Sequence, residues 1–173
     1  MCLVLTCFFQ ICIFAQKKIL DETEIRQNLK MQAGKMGAAF TASDYKTFEN
    51  YTYPPLLNSM GGKTKMVEVL NKTVADMKSK GMSFSKITVD EPTKIIQVGK
   101  ELQSTITQHT EIKLSQGRVV AESTLIAISI DNGLNWKFID TSNKNIATLR
   151  KAMPNLSSAI DIPAPKPPVR YSF

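Results

Sequence analysis

"SIDNGLNW", residues Ser129 to Trp136, joins two stretches with the composition of β-strands, "RVVAESTLIAISI" before it and "LNWKFID" overlapping its end. Asn-Gly flanked by alternating apolar residues is a strong local signal for a β-hairpin. How the two strands pair depends on the length of the loop between them. Because side chains alternate between the two faces of a strand, a shift of one residue exchanges the faces.

Two loops are compatible with these residues. A two-residue loop, Asn132-Gly133, would place Ile128 opposite Lys137 and mix polar and apolar side chains on both faces of the sheet. A three-residue loop, 131–133, gives one wholly apolar face with the pairs Ile130 and Leu134, Ile128 and Trp136, and Ile126 and Phe138. We therefore predict the three-residue loop, with Gly133 left-handed in a bulge, Asp131 capping the turn and Trp136 anchored in the core.

Helical patterns precede the strands. Apolar residues at spacings of three and four predict a helix from Glu22 to Phe40, in which Gly34 and Gly37 allow close approach of another element. A short helix with Ser43 as its N-cap follows, then a turn beginning at the paired prolines, and a third helix that ends at Gly81.

After Gly81 the apolar period changes from 3.6 to 2 residues. The predicted strands before the hairpin are "SFSKITV", "KIIQVGKELQSTITQ" and "TEIKLS", and a short helix around Asn145 to Met153 follows the hairpin. Helices followed by a run of antiparallel strands indicate an α+β domain. We assign residues 17–162 to this domain and 163–173 to an extended, Pro-rich tail.

The first sixteen residues, "MCLVLTCFFQICIFAQ", contain no charged side chain. An apolar run of this length favours a signal peptide at 1–16, cleaved near Ala15 or Gln16, although the basic residues that usually open such a segment are missing. The alternative is an uncleaved anchor or a buried N-terminal helix. The three cysteines all lie in this segment, so the exported chain would contain none and would lack thiol chemistry.

The charge balance restricts the partners. The chain has 22 basic and 15 acidic residues, a net charge of +7, which favours an anionic surface. Export makes nucleic acid an improbable partner, and a homodimer through the sheet is a further expectation. Since His109 is the only histidine, one chain cannot assemble a two-histidine metal site, and no neighbour in the sequence supports His109 as a general base. We expect no metal or cofactor.

"SIDNGLNW" also resembles the Asp-box, S-x-D-x-G-x-x-W, of sialidase propellers. That motif recurs on several blades, whereas it occurs once here in a chain too short for such a propeller. The stretch therefore favours a hairpin and not a sialidase.

The order of elements, with "DYKTFENYTYPPLL" and "NGLNWKFID" as its local pieces, resembles the NTF2-like (cystatin-like) superfamily over about residues 21–153. The resemblance implies a curved sheet wrapped around a long helix as a cone with a pocket. The candidate pocket residues are Tyr45, Phe48, Tyr51, His109, Trp136 and Asp140. Two functions stay open: an exported, non-enzymatic binding or accessory module for a small apolar ligand or a partner, and a cone-pocket enzyme using general acid–base chemistry, similar to isomerases or cyclases.

Overall fold

The computed structural model describes residues 20–142 and 146–172, and it confirms an α+β domain with a curled antiparallel sheet. The signal-peptide prediction lies outside the described residues. The helices are α1 Glu22–Thr41, α2 Tyr45–Glu49, α3 Pro54–Ser59, α4 Gly62–Ser79 and α5 Ile146–Ala152. The strands are β1 Ser83–Val89, β2 Ile96–Val98, β3 Glu101–Lys113, β4 Arg118–Ser129, β5 Lys137–Asp140 and β6 Val169–Tyr171.

The sheet has the order β1-β3-β4-β5, and all of its strand pairs are antiparallel. The short strand β2 also pairs with β3, and β6, in the Pro-rich tail, pairs with β4 at Arg118–Val120. The sequence predicted two separate strands where β3 runs without a break from Glu101 to Lys113. The central strands β3 and β4 are joined by twelve residue pairs, and each of the other strands pairs with one of these two.

Helix α1 covers one face of the sheet, which we call the helix face. Asp21 and Glu24 form a reciprocal capping box that starts this helix. Its apolar stripe packs on the inward side chains of three strands in a core formed by Leu29, Ala33, Met36, Ile106, Leu125, Ala127, Trp136 and Phe138. Gly37 lets α1 approach β1, because a Cβ built there would lie 2.5 Å from Ile87 Cγ2, whereas Gly34 has no atom within 4 Å of that position.

The opposite face, which we call the tail face, is covered by α5 and the chain after it. Its core contains Ile126, Ile128, Ile139, Leu149, Leu156 and Ile160. Buried Gln103 fixes the covering segment, since its side chain accepts from Ser157 N at 2.9 Å and donates to Asn155 O at 3.0 Å. The sheet is therefore buried on both faces near the hairpin.

Burial on both faces explains why the predicted hairpin register is wrong. The structure pairs Ile128 with Lys137 and Ile126 with Ile139, which is the register of the two-residue alternative. The three-residue loop requires a single apolar face, but Ile126 and Ile128 of β4 lie in the tail-face core while Leu125 and Ala127 lie in the helix-face core. Ile130, expected in the core, is 77% exposed.

The loop itself is longer than either prediction and spans 130–136. Asp131 caps it as expected, with Oδ1 accepting from Asn135 N and from the Ser129 hydroxyl, both at 2.8 Å. Gly133 has the predicted left-handed conformation, with φ at 83°, and its N–H donates to Ser129 Oγ at 2.9 Å. Trp136 is 1% exposed, as predicted for a core anchor, and its indole N–H donates to Gly133 O.

Two smaller differences concern helix ends and the tail. The N-cap of α2 is Asp44 and not Ser43, because the Asp44 carboxylate accepts from Thr47 N while Ser43 has a positive φ of 58°. Within the segment predicted as a tail, Val169–Tyr171 form strand β6. Within residues 20–142 and 146–172, no helix combines the length and apolarity that crossing a membrane requires.

Candidate functional site

A cavity of about 550 Å³ lies between the first four helices and the helix face of the sheet. Every one of those helices contributes: Met36 and Phe40 from α1, Phe48 from α2, Leu56 from α3, and Met66 and Leu70 from α4. Strands β1, β3, β4 and β5 supply its other wall. The volume falls within the range of sites that bind small molecules.

Seven of the residues that line the cavity are phenylalanine or methionine. Phe40 stacks edge-on against Phe84, with ring centroids 4.9 Å apart, and its centroid lies 5.3 Å from that of Phe48. Met36, Met60 and Met66 line the same space. Methionine is unbranched and polarisable, so this wall can adapt to apolar ligands of different shapes.

A row of polar side chains crosses the apolar cavity on the sheet side. Gln108 pairs with Ser123 across β3 and β4, and Ser142, two residues beyond the end of β5, also lines the cavity. Thr110 and Asp140 flank it, and both line the cavity. We call these five residues, Gln108, Thr110, Ser123, Asp140 and Ser142, the polar belt.

The polar belt runs from the interior to the rim. Gln108 is 6% exposed, whereas Ser142 is exposed. The amide nitrogen of Gln108 reaches Thr110 Oγ1 and Ser123 Oγ at 3.4 and 3.5 Å, the long end of hydrogen-bond distances. Asp140 Oδ1 accepts from the backbone N–H of Ser142 at 2.7 Å and from its hydroxyl at 2.6 Å.

Charged side chains are few among the described residues that line the cavity. Among the described residues that line it, none is Lys, Arg or His, while Asp140 and Glu122 are acidic. The carboxylate of Glu122 lies on the tail face, where it pairs with Lys166 at 2.7 Å. Asp140 lies two residues after Phe138 and so on the same face as that core residue, which leaves its carboxylate on the cavity side.

The structure divides the candidate residues predicted from sequence. Phe48 and Asp140 line the cavity. Tyr45 is buried against Phe40, with ring centroids 6.3 Å apart, and Tyr51 packs on Phe138 at 6.4 Å. Both tyrosines therefore support the cavity wall from behind, and the fully buried Trp136 lies deeper in the helix-face core.

His109 lies on the tail face, away from this cavity. Its Nε2 is 3.0 Å from both carboxylate oxygens of Asp90, and its Nδ1 is 3.9 Å from Glu122. Lys166 of the tail completes this surface network through Glu122. Two smaller cavities, of about 300 and 420 Å³, lie beneath the tail on the same face.

Sequence reasoning missed most of the cavity residues. Strand alternation from Ile106 would have selected Gln108, Thr110 and Ile112, since every second residue of β3 faces the helices. The methionines carry no such signal, because Met36 lies in α1, Met60 follows α3 and Met66 lies in α4, and only the packing of these helices brings them together. Among the described residues, no group of three or more His, Cys, Asp or Glu side chains is arranged to hold a metal ion.

The fold and cavity define the chain as an α+β domain with an internal apolar site between helices and a curved sheet. No protein-family model matches the chain, and no curated protein is similar to it in sequence.

Proposed function

We propose that the protein is an exported, non-enzymatic binding module that holds a small apolar ligand in the cavity between α1–α4 and the sheet. The observation that supports this proposal most directly is the cavity lining, where four phenylalanines and three methionines surround about 550 Å³. Apolar cavities with a few convergent polar groups are the common form of small-molecule sites. Membership of the NTF2-like superfamily is part of this proposal, since the helices-then-sheet order and the position of the cavity fit its cone.

The proposal is tested by filling the cavity. Ala121 is half-buried in the lining, so Ala121→Phe should occupy the space and weaken binding of the neutral apolar dye Nile red by at least about tenfold. The matched control is Ala159→Phe, which adds the same side chain beside the smaller tail-face cavity. Equal dye binding by both variants and the unaltered protein would place the apolar site elsewhere, and absence of dye binding in all three would overturn the proposal.

A second function is favoured by one observation, the carboxylate of Asp140 in the cavity wall. A carboxylate in an apolar pocket can take a proton from a carbon next to a carbonyl, as in isomerase-like chemistry. The test is deuterium exchange into small cyclic ketones in D2O. Deuterium exchange that depends on the protein and is lost in Asp140→Asn would support the enzymatic function. Exchange at the background rate would contradict it and would leave the binding function as the proposal.

Export, an anionic surface as a partner and a homodimer stay predictions. The apolar segment at 1–16 supports export, and the net charge of +7 supports an anionic partner surface. Fractionation of expressing cells, with N-terminal sequencing of the mature chain, tests export and cleavage near Ala15 or Gln16 together.

A further inference from the structure

We propose that the cavity selects apolar molecules that carry one hydrogen-bond donor, such as an alcohol, over molecules of the same size that carry none, and that Gln108 determines this specificity. The inference rests on the proposed binding function and names the ligand class for that same cavity. It is carried by the side-chain oxygen of Gln108.

Gln108 lies in the sheet wall of the cavity and is 6% exposed. It follows Ile106 by two residues on β3, so its side chain lies on the helix face with that core residue. Its amide nitrogen donates to Thr110 Oγ1 and to Ser123 Oγ, which occupies both of its N–H groups. No donor in the described part of the chain bonds to its Oε1. The amide therefore has an acceptor to offer.

The oxygen of this amide is accessible from the cavity. Within the part of the chain that the structure describes, no fully buried side-chain oxygen or nitrogen lacks a hydrogen-bond partner. The unpaired Oε1 of Gln108 must therefore keep some accessible surface, and the cavity that Gln108 lines provides it. Oε1 is thus an acceptor that faces the space a ligand would occupy.

A ligand that fills the cavity closes this oxygen off from solvent. A buried acceptor left without a donor is destabilising, so an apolar ligand without a donor binds at a cost. A ligand hydroxyl placed at Oε1 supplies the missing hydrogen bond, whereas an ether oxygen would meet it with a second acceptor. Sites that hydrogen-bond a ligand group discriminate strongly against the analogue that lacks it, because the protein group is then left unpaired.

The apolar lining determines where the rest of the ligand lies. Leu125 lies two residues from Ser123 on the same face of β4, and Phe40 and Met66 line the cavity from the helices. These side chains contact hydrocarbon well but offer no strong hydrogen-bonding group. The ligand class is therefore a hydrocarbon with a single neutral donor that reaches the sheet wall.

The experiment uses the full chain and two isomers, decanol and methyl nonyl ether, which contain the same atoms and differ in whether the oxygen carries a hydrogen. Each isomer competes against Nile red below its solubility limit. We expect decanol to displace the dye at concentrations at least about tenfold lower than the ether. This comparison uses the unaltered protein, so it does not depend on the folding of a variant.

Substitution of Gln108 tests the source of the preference. Gln108→Met keeps an unbranched side chain of similar length and removes the acceptor, so the gap between the isomers should fall to less than about twofold while Nile red still binds. Gln108→Leu is a second variant with the same expected result, in case the first does not fold. Gln27→Met is the matched control at an exposed position of α1 and should keep the full gap.

The outcomes separate the two proposals. If methyl nonyl ether displaces Nile red as well as decanol does, the selectivity is wrong and the binding module stands. If the gap persists in the Gln108 variants, or shrinks equally in Gln27→Met, Gln108 is not its source and the inference fails. If Nile red and both isomers fail to bind the unaltered protein, the proposed function itself is overturned and the selectivity with it.

Discussion

Gln32 on α1 and Trp136 at the end of the hairpin loop are joined through a buried hydrogen bond, in which the Trp136 backbone N–H donates to Gln32 Oε1 at 3.0 Å. The same side chain donates from Nε2 to Leu134 O at 2.8 Å. The Gln32 side-chain amide thus bonds two backbone groups of the loop, the Leu134 carbonyl and the Trp136 N–H, and holds the loop against α1. The indole of Trp136 can then fill the helix-face core without leaving backbone groups unpaired.

Replacing Gln32 should therefore destabilise the protein. Gln32→Leu keeps a similar volume but leaves the buried N–H of Trp136 and the carbonyl of Leu134 without this partner, at a cost of about 1–3 kcal/mol in the free energy of unfolding. Urea unfolding followed by the fluorescence of the single tryptophan measures the loss. Gln27→Leu, at an exposed position of the same helix, should change stability by less than about 0.5 kcal/mol. Equal effects of the two substitutions would contradict a role for the Gln32 amide.

The two glycines of α1 provide a matched pair. Gly37→Ala would bring a Cβ to 2.5 Å from Ile87 Cγ2, so α1 and β1 must separate, and we expect a loss of about 1–3 kcal/mol. Gly34→Ala meets no atom within 4 Å and should stabilise the protein by about 0.5–1 kcal/mol through helix propensity. Thermal unfolding of both variants gives opposite shifts if α1 lies on β1 as described. Shifts of the same sign would show that the contact is absent.

Asp131 should make stability depend on pH at the acid end. Burial tends to raise the pKa of Asp131, but hydrogen bonds from the Asn135 side chain and backbone and from Ser129 outweigh it and lower the pKa. The ionised carboxylate therefore adds stability above the unfolded-state pKa of about 3.9, and this contribution is lost as the pH falls through the lower folded-state pKa. Asp131→Asn should destabilise by about 1–2 kcal/mol near pH 7, and the difference from the unaltered protein should shrink below about pH 3.

Urea unfolding at several pH values measures this dependence. Asp161→Asn serves as the control, because Asp161 is an exposed carboxylate just before the tail, and it should follow the unaltered protein throughout. A constant difference for Asp131→Asn from neutral to acid pH would mean that the charge of Asp131 contributes nothing.

The local spacing of apolar residues was sufficient to predict helices and strands, but not the register in which the hairpin strands pair. The spacing of apolar residues predicted α1 to within one residue at its end, and alternation predicted β1 with its observed bounds. The hairpin register failed for a physical reason, since alternation shows that Ile126 and Ile128 share a face but not whether something covers it. The cover comes from Leu149, Leu156 and Ile160, which belong to a segment beyond the hairpin.

The cavity could be anticipated only in part for the same reason. Phe48 and Asp140 were among the candidates, but Met36, Met66 and Phe84 come from three elements that only the tertiary fold brings together. Trp136 was both a pocket candidate and a predicted core anchor, and the structure places it in the helix-face core.

Arg150 should hold the covering segment on the tail face. Its guanidinium donates to Leu156 O at 3.1 Å, to Ser157 O at 2.8 Å and to Ile160 O at 3.0 Å. A planar fork of donors can reach several carbonyls at once, whereas the single ammonium of lysine cannot. Arg150→Lys keeps the charge, so any loss reports this geometry.

We expect Arg150→Lys to lose about 1–3 kcal/mol of stability and to speed hydrogen exchange at Ser157, whose N–H donates to Gln103 Oε1. The reciprocal exchange Lys151→Arg, at an exposed neighbouring position of α5, should leave both measurements unchanged. Leu156 and Ile160 cover Ile126 and Ile128, so loosening this segment should expose the tail-face core to solvent. Exchange at Ser157 that is equally slow in both variants would show that the segment stays in place without the guanidinium.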